Sequence, residues 1–74
     1  MKTTVKLTKR EMEIGQAIVN GGTGRSIAAA MQLSVKTVEV HRAHINMKLG
    51  THGIAEMIAA LLVGGYATLP KRAR

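Results

Sequence analysis

The sequence predicts an all-α fold, one domain of four short helices, and three features of the chain lead to it. Apolar residues recur at three- and four-residue spacings rather than in alternation, so the β-branched residues fit a helical period and no strand pattern survives. Three of the apolar runs open on a hydroxyl side chain able to accept from a free backbone N–H, namely Thr8, Thr23 and Ser34. The runs close on glycine, at Gly21-Gly22, Gly50 and Gly64-Gly65.

The first helix starts at Leu7-Thr8-Lys9-Arg10-Glu11-Met12, with Thr8 as N-cap, Glu11 three residues on to complete a capping box, and Leu7 with Met12 placed as a hydrophobic staple. Ile14, Ala17 and Ile18 continue its apolar face, and Asn20-Gly21-Gly22 stops it. A shorter second helix begins near Thr23 or Gly24, carries Ile27, Ala28 and Met31, and ends around Gln32-Leu33. The third helix is capped by Ser34 and closed by Gly50, giving an element of about 24 Å at 1.5 Å per residue. Val38, Ile45 and Leu49 share a stripe that must be buried. Lys36, Glu39, Val40 and Ala43 fall on the opposite side, with Arg42 and Met47 at its flanks. A slim, partly cationic face without a bulky aromatic suits the major groove of duplex DNA. The fourth helix begins near His52 or Gly53, runs through IAEMIAALLV and stops at Gly64-Gly65. From Tyr66 onward the chain is expected to be frayed, so the domain is 1–74 with a core of about 7–64 and a flexible basic tail, 65–74.

With 74 residues the chain has room for one small core, and domains of this size bury only roughly 60% of their unfolded surface. There is no Cys, so neither a disulfide framework nor a thiolate metal site is available. Phe and Trp are absent, which leaves Leu, Ile, Val, Met and Ala to fill the interior. Eleven Lys and Arg against four Glu give a formal charge of +7. A polyanion is therefore the natural large partner, nucleic acid before an anionic membrane surface. The charges lie in the first ten residues, along the central helices and in the Lys71-Arg72-Arg74 tail, while from Thr51 to Pro70 only Glu56 is charged. MKTTVKLTKREM has basic residues with no apolar run behind them, so a secretory signal is not expected and the protein is placed in the cytoplasm, associated with the nucleoid.

Two helices joined by a tight turn and packed on a preceding helix describe a helix-turn-helix unit. LTKREMEI, Gly21, SIA at 26 to 28, and LSVKTVEVHRAHINMKLG resemble, in register and without a gap, the LuxR/GerE-type DNA-binding domain over roughly residues 7 to 62. The resemblance implies a four-helix domain whose third helix reads the major groove of double-stranded DNA and whose fourth forms a homodimer contact. Carried over position by position, Glu39, Val40 and Ala43, with Arg42 beside them, would contact bases. Lys36, Thr37, His41 and Lys48 would hold phosphates or brace the helix. Family domains usually follow a receiver or ligand-binding domain; a DNA-binding domain alone is expected here, with no cofactor and no small-molecule ligand.

The chain departs from the family pattern in places. Gly15 stands where a large aliphatic residue is common, which is expected to remove packing and cost up to about 1 kcal/mol relative to Ala. Ser26 replaces the acidic residue that would complete a capping box with Thr23. Ile54 occupies an often basic position, and Glu39 and Ala43 stand where basic or polar readers are frequent.

Other chemistries fit the residues less well. His41, His44 and His52 lack a nearby Asp or Cys and are expected to pack and hydrogen-bond rather than hold metal. Ser34, Glu39 and His41 are the residue types of a hydrolase triad but lie along one helix in diverging directions, so no enzyme activity is expected. The Ile54 to Val63 run is far shorter than the roughly 20 residues of a membrane span. Its broad apolar face, Ile54, Met57, Ile58, Leu61 and Leu62, is expected to form the dimer interface. The residues point to a sequence-specific transcriptional regulator binding DNA as a dimer. The alternative is a protein-interaction module that pairs through its fourth helix with a larger LuxR-type regulator.

Overall fold

A computed structural model describes residues 6–70. Four α-helices follow in order, α1 (Lys9–Val19), α2 (Gly24–Met31), α3 (Val35–Leu49) and α4 (Ile54–Val63), and no strand occurs among the described residues. The helix α3 packs on α1, α2 and α4, so it is the central strut of the domain. Its inward stripe, Val38 and Ile45, is fully buried with Ile14 of α1 and with Met57 and Leu61 of α4. An interior made only of aliphatic and thioether side chains is what a chain without Phe or Trp must build.

The helix ends follow the capping rules closely. Thr8 Oγ1 accepts from the Glu11 N–H at 3.1 Å while Glu11 Oε1 accepts from the Thr8 N–H at 2.9 Å, the two halves of a capping box. The second box is a correction: Ser26, read as breaking it, completes it, because its Oγ accepts from the Thr23 N–H at 2.9 Å and Thr23 Oγ1 accepts from the Ser26 N–H at 3.1 Å. A shorter hydroxyl side chain reaches because the N-cap and N3 residues already lie one turn apart. Ser34 caps α3 through the Thr37 N–H at 3.0 Å, and Gly50 closes that helix at φ 70°, the left-handed region. The α2–α3 turn is equally tight, and there a non-glycine residue, Gln32, takes φ 59°.

Gly15 also reverses its expectation. A Cβ placed there would lie 3.2 Å from both methyls of Leu61, so α4 seats that leucine directly on the α1 backbone. The missing side chain is the space that Leu61 fills.

The segment after α4 is the third correction. Expected to fray from Tyr66, it instead folds back over α1 as a strap. The Tyr66 ring lies 2.8 Å from where a Cβ on Gly64 would stand, and Ala67 is buried in the core. The Gln16 side-chain amide donates to the Thr68 carbonyl at 2.8 Å and accepts from its N–H at 3.0 Å, pairing with the strap's backbone as a neighbouring strand would. The sequence shows no helix or strand in this stretch, and the pairing spans 52 residues, beyond the reach of local patterns. Lys71 to Arg74, the basic part of the tail, lie outside the described residues.

Candidate nucleic-acid interface

The face of α3 turned away from the body is built by its register. Lys36, Glu39, Val40 and Ala43 are all exposed there, and Met47 continues the line at 73% exposure. Spacings of three and four place them along one side of the helix, opposite Val38 and Ile45. The face protrudes because its far side is held by all three other helices, and its middle is kept narrow by Val40 and Ala43. Among the described residues, Glu39 makes no hydrogen bond or ion pair, so its carboxylate is free to accept.

Two cations expected beside this face are turned elsewhere. Arg42 falls four residues after Val38 and three before Ile45, on the edge of the buried stripe. It is half-buried with its Nε fully enclosed, and it borders a cleft formed with Gly22, Thr23, Gly24 and Ile54 at the start of α2 and α4. Lys48 is held in an ion pair, its Nζ donating at 2.8 Å to Oε1 of Glu11, whose side chain is only 5% exposed. Burial pushes the Glu11 carboxyl up, but the Lys48 ammonium and the Thr8 N–H outweigh it and hold the group below the ordinary value of 4.5. Lys48 thus fastens the C-terminal turn of α3 to the first turn of α1.

The remaining positions divide. Lys36 is exposed and unpaired among the described residues. Thr37 is half-buried, its Oγ1 accepting from the Ser34 hydroxyl at 2.9 Å, so it braces the cap. His41 is half-buried with Nδ1 enclosed. Register could have given Arg42's direction, since Val38, Arg42, Ile45 and Leu49 form one four-three-four series. The Glu11–Lys48 pair, 37 residues apart, has no local signal.

On α4 the expected interface must also be redrawn. Met57 and Leu61 have no exposed surface, being fully buried in the core of the domain, and Ile58 packs against that core. Ile54 is partly exposed beside the Arg42 cleft and Leu62 is half-buried. The outer side of α4 is instead Ala55, Ala59 and Val63, with Leu62 at its margin and Val63 at 89% exposure. No helix among the described residues is long and apolar enough to cross a membrane.

Comparison with known proteins agrees with this architecture. Residues 5–61 match the family model described as bacterial regulatory proteins, luxR family. The response regulatory protein YgeK of Escherichia coli (strain K12) is 47% identical over 64 residues, covering 86% of this chain and 44% of that protein. The transcriptional regulatory protein FixJ of Rhizobium meliloti (strain 1021) is 35% identical over 60 residues, 81% of this chain and 29% of FixJ. Among solved structures, the VqmA–ligand–DNA complex of Vibrio cholerae superposes with a TM-score of 0.81 at 31% identity, covering 95% of this chain and 31% of that one. The chain thus spans less than half the length of the relatives it matches. This chain belongs to the luxR family of bacterial regulatory proteins and has its helix-turn-helix fold, four helices without a strand among the described residues.

Proposed function

We propose that this chain is a sequence-specific DNA-binding module of a transcriptional regulator, acting as a dimer with α3 of each subunit in the major groove. The observation that carries the reading is the outward face of α3, five exposed residues without an aromatic on a helix braced by every other helix. A groove about 12 Å wide admits such a helix when its front is this slim. Glu39, Val40 and Ala43 meet base edges. Lys36 supplies phosphate charge from α3, and the exposed Arg25 in the first turn of α2 sits beside a helix N-terminus, whose free N–H groups also suit phosphate. Lys48 acts indirectly, by holding α3 on the body.

Dimerisation is assigned to the outer side of α4. Ala55, Ala59, Leu62 and Val63 lie at spacings of four, three and one, a stripe of small and apolar residues that a second copy would cover. That the VqmA structures are of a dimer and of a DNA complex supports both halves of the reading. The same stripe admits the second reading, pairing with a larger LuxR-type regulator, since Val63 is the most exposed large apolar residue among those described.

A mobility-shift titration of the 74-residue chain against random duplex oligonucleotides tests the reading. Retardation at low salt that is lost steeply between 50 and 200 mM salt is expected, because about two or three phosphate contacts per subunit each add roughly −0.9 to the logarithmic salt slope. Absence of retardation at low salt, together with capture of an intact LuxR-type regulator, would favour the second reading.

A further inference from the structure

We infer that Glu39 is the specificity-determining residue of this interface, selecting cytosine at one position of each half-site, with Val40 and Ala43 favouring thymine beside it. The inference rests on α3 being the DNA-reading helix.

Three observations combine. Glu39 is exposed on the outward face and, among the described residues, is engaged by nothing: neither Lys36 nor any other cation pairs with it. A structural role as a helix-surface ion pair is thus absent, although Lys36 stands three residues away, a spacing at which such pairs form. The two neighbours along the same face, Val40 at 44% exposure and Ala43, are apolar, so the donors of the α3 face, Lys36 and His44, stand to either side of this trio rather than within it. Finally, the Lys48 ammonium is held by Glu11, and Arg42, half-buried at the edge of the α2–α4 cleft, makes no ion pair with Glu39.

A carboxylate accepts and does not donate. In the major groove the exocyclic amino groups are the donors; guanine offers only its N7 and O6 acceptors, and adenine's amino group is flanked by the N7 acceptor. Cytosine N4 presents a donor without an adjacent acceptor, and it is the base edge an acidic side chain suits. The C5-methyl of thymine is the apolar feature of the same groove, and it suits Val40 and Ala43. A face of one acceptor and two small apolar groups therefore rejects guanine on the strand it reads, the reverse of a face carrying arginine or lysine at the same positions.

The test is selection from a randomised duplex library at low salt with three full-length proteins, the wild type, Glu39→Ala and Glu39→Gln, each first shown to be equally helical by circular dichroism. The wild type should enrich cytosine at one position per half-site, with about a five- to 150-fold preference over guanine. Glu39→Ala should lose that preference while keeping thymine at the neighbouring step. Glu39→Gln should move it to adenine, whose N6 and N7 a side-chain amide engages as a pair. Identical base preferences in all three proteins would overturn the inference while leaving DNA binding by α3 intact. Failure of all three to retain any duplex would overturn the DNA-binding reading itself, and the inference with it.

Discussion

The helices α3 and α4 form opposite cases of how a short sequence encodes a surface. The helix α3 has fifteen residues, a hydroxyl cap at one end and a left-handed glycine at the other, with Val38 and Ile45 on a buried stripe and Val35, Val40 and Met47 exposed. The charged Lys36 and Glu39 stand away from that stripe, so the inward and outward sides follow from the spacing of Val38 and Ile45 together with the charges. The helix α4 has ten residues of which only Glu56 is charged, and its N-cap, Gly53, supplies no side-chain hydrogen bond; Glu56 reaches back to the His52 N–H instead, at 2.7 Å. A helix apolar all round does not say which side faces the body. Met57 and Leu61 went inward, while Ala55, Ala59 and the larger Val63 remained outside.

The contrast can be broken most forcefully on α4. Leu61→Asp would place a carboxylate against Gly15 in a fully enclosed position, and an unpaired buried charge costs several kcal/mol, enough to unfold a domain this small. Val63→Asp, two residues along and almost fully exposed, should leave the thermal transition within about 0.5 kcal/mol of the wild type. By sedimentation it should remain a monomer where the wild type dimerises. Should Val63→Asp dimerise normally, the outer side of α4 is not the contact. Should Leu61→Asp fold, the inward assignment is wrong.

The attachment of α3 to α1 comes next in size. Lys48→Met keeps the side-chain length but removes the ammonium facing Glu11, leaving a buried carboxylate one partner short, at a cost of about 1–3 kcal/mol in urea denaturation at pH 7. The pH dependence has a definite sign. The Glu11 carboxyl is lowered in the fold, so its contribution is present above the ordinary value of 4.5 and is lost as pH falls through the lowered folded value. The gap between wild type and Lys48→Met should therefore narrow on acidification to pH 3. A gap that stays constant or widens would show that the pair contributes nothing through charge.

Ser34→Ala should produce the smallest of these effects, about 1 kcal/mol, by removing the oxygen that accepts from Thr37 N–H at the start of α3. A loss much below this would show that Thr37 or solvent takes over the cap.

The fold was legible because its signals are local. Thr8 with Glu11, Ser34, Gly21, Gly50 and Gly64 mark helix ends, and Ile14, Val38 and Ile45 mark the inward stripes. The features that escaped join distant parts of the chain. The Gln16–Thr68 pairing orders a segment with no secondary-structure pattern, and Leu61 over Gly15 turns an apparent packing defect into a seat for α4. Lys48, basic and on α3, suits either a phosphate or a brace by sequence, and only the tertiary position of Glu11 shows the ion pair it makes. The outward face of α3 was legible for the same reason as the fold, since a period of 3.6 fixes both sides of a helix once one is buried.

Whether that outward face meets DNA is measured most directly by amide chemical-shift mapping of the 15N-labelled chain with a duplex selected from the random library. The largest perturbations should fall on Lys36, Glu39, Val40 and Ala43, with a second group at Arg25 in the first turn of α2, while the strap at Ala67 and Thr68 stays unmoved. Perturbations confined to α4 and the strap, with α3 silent, would contradict the account.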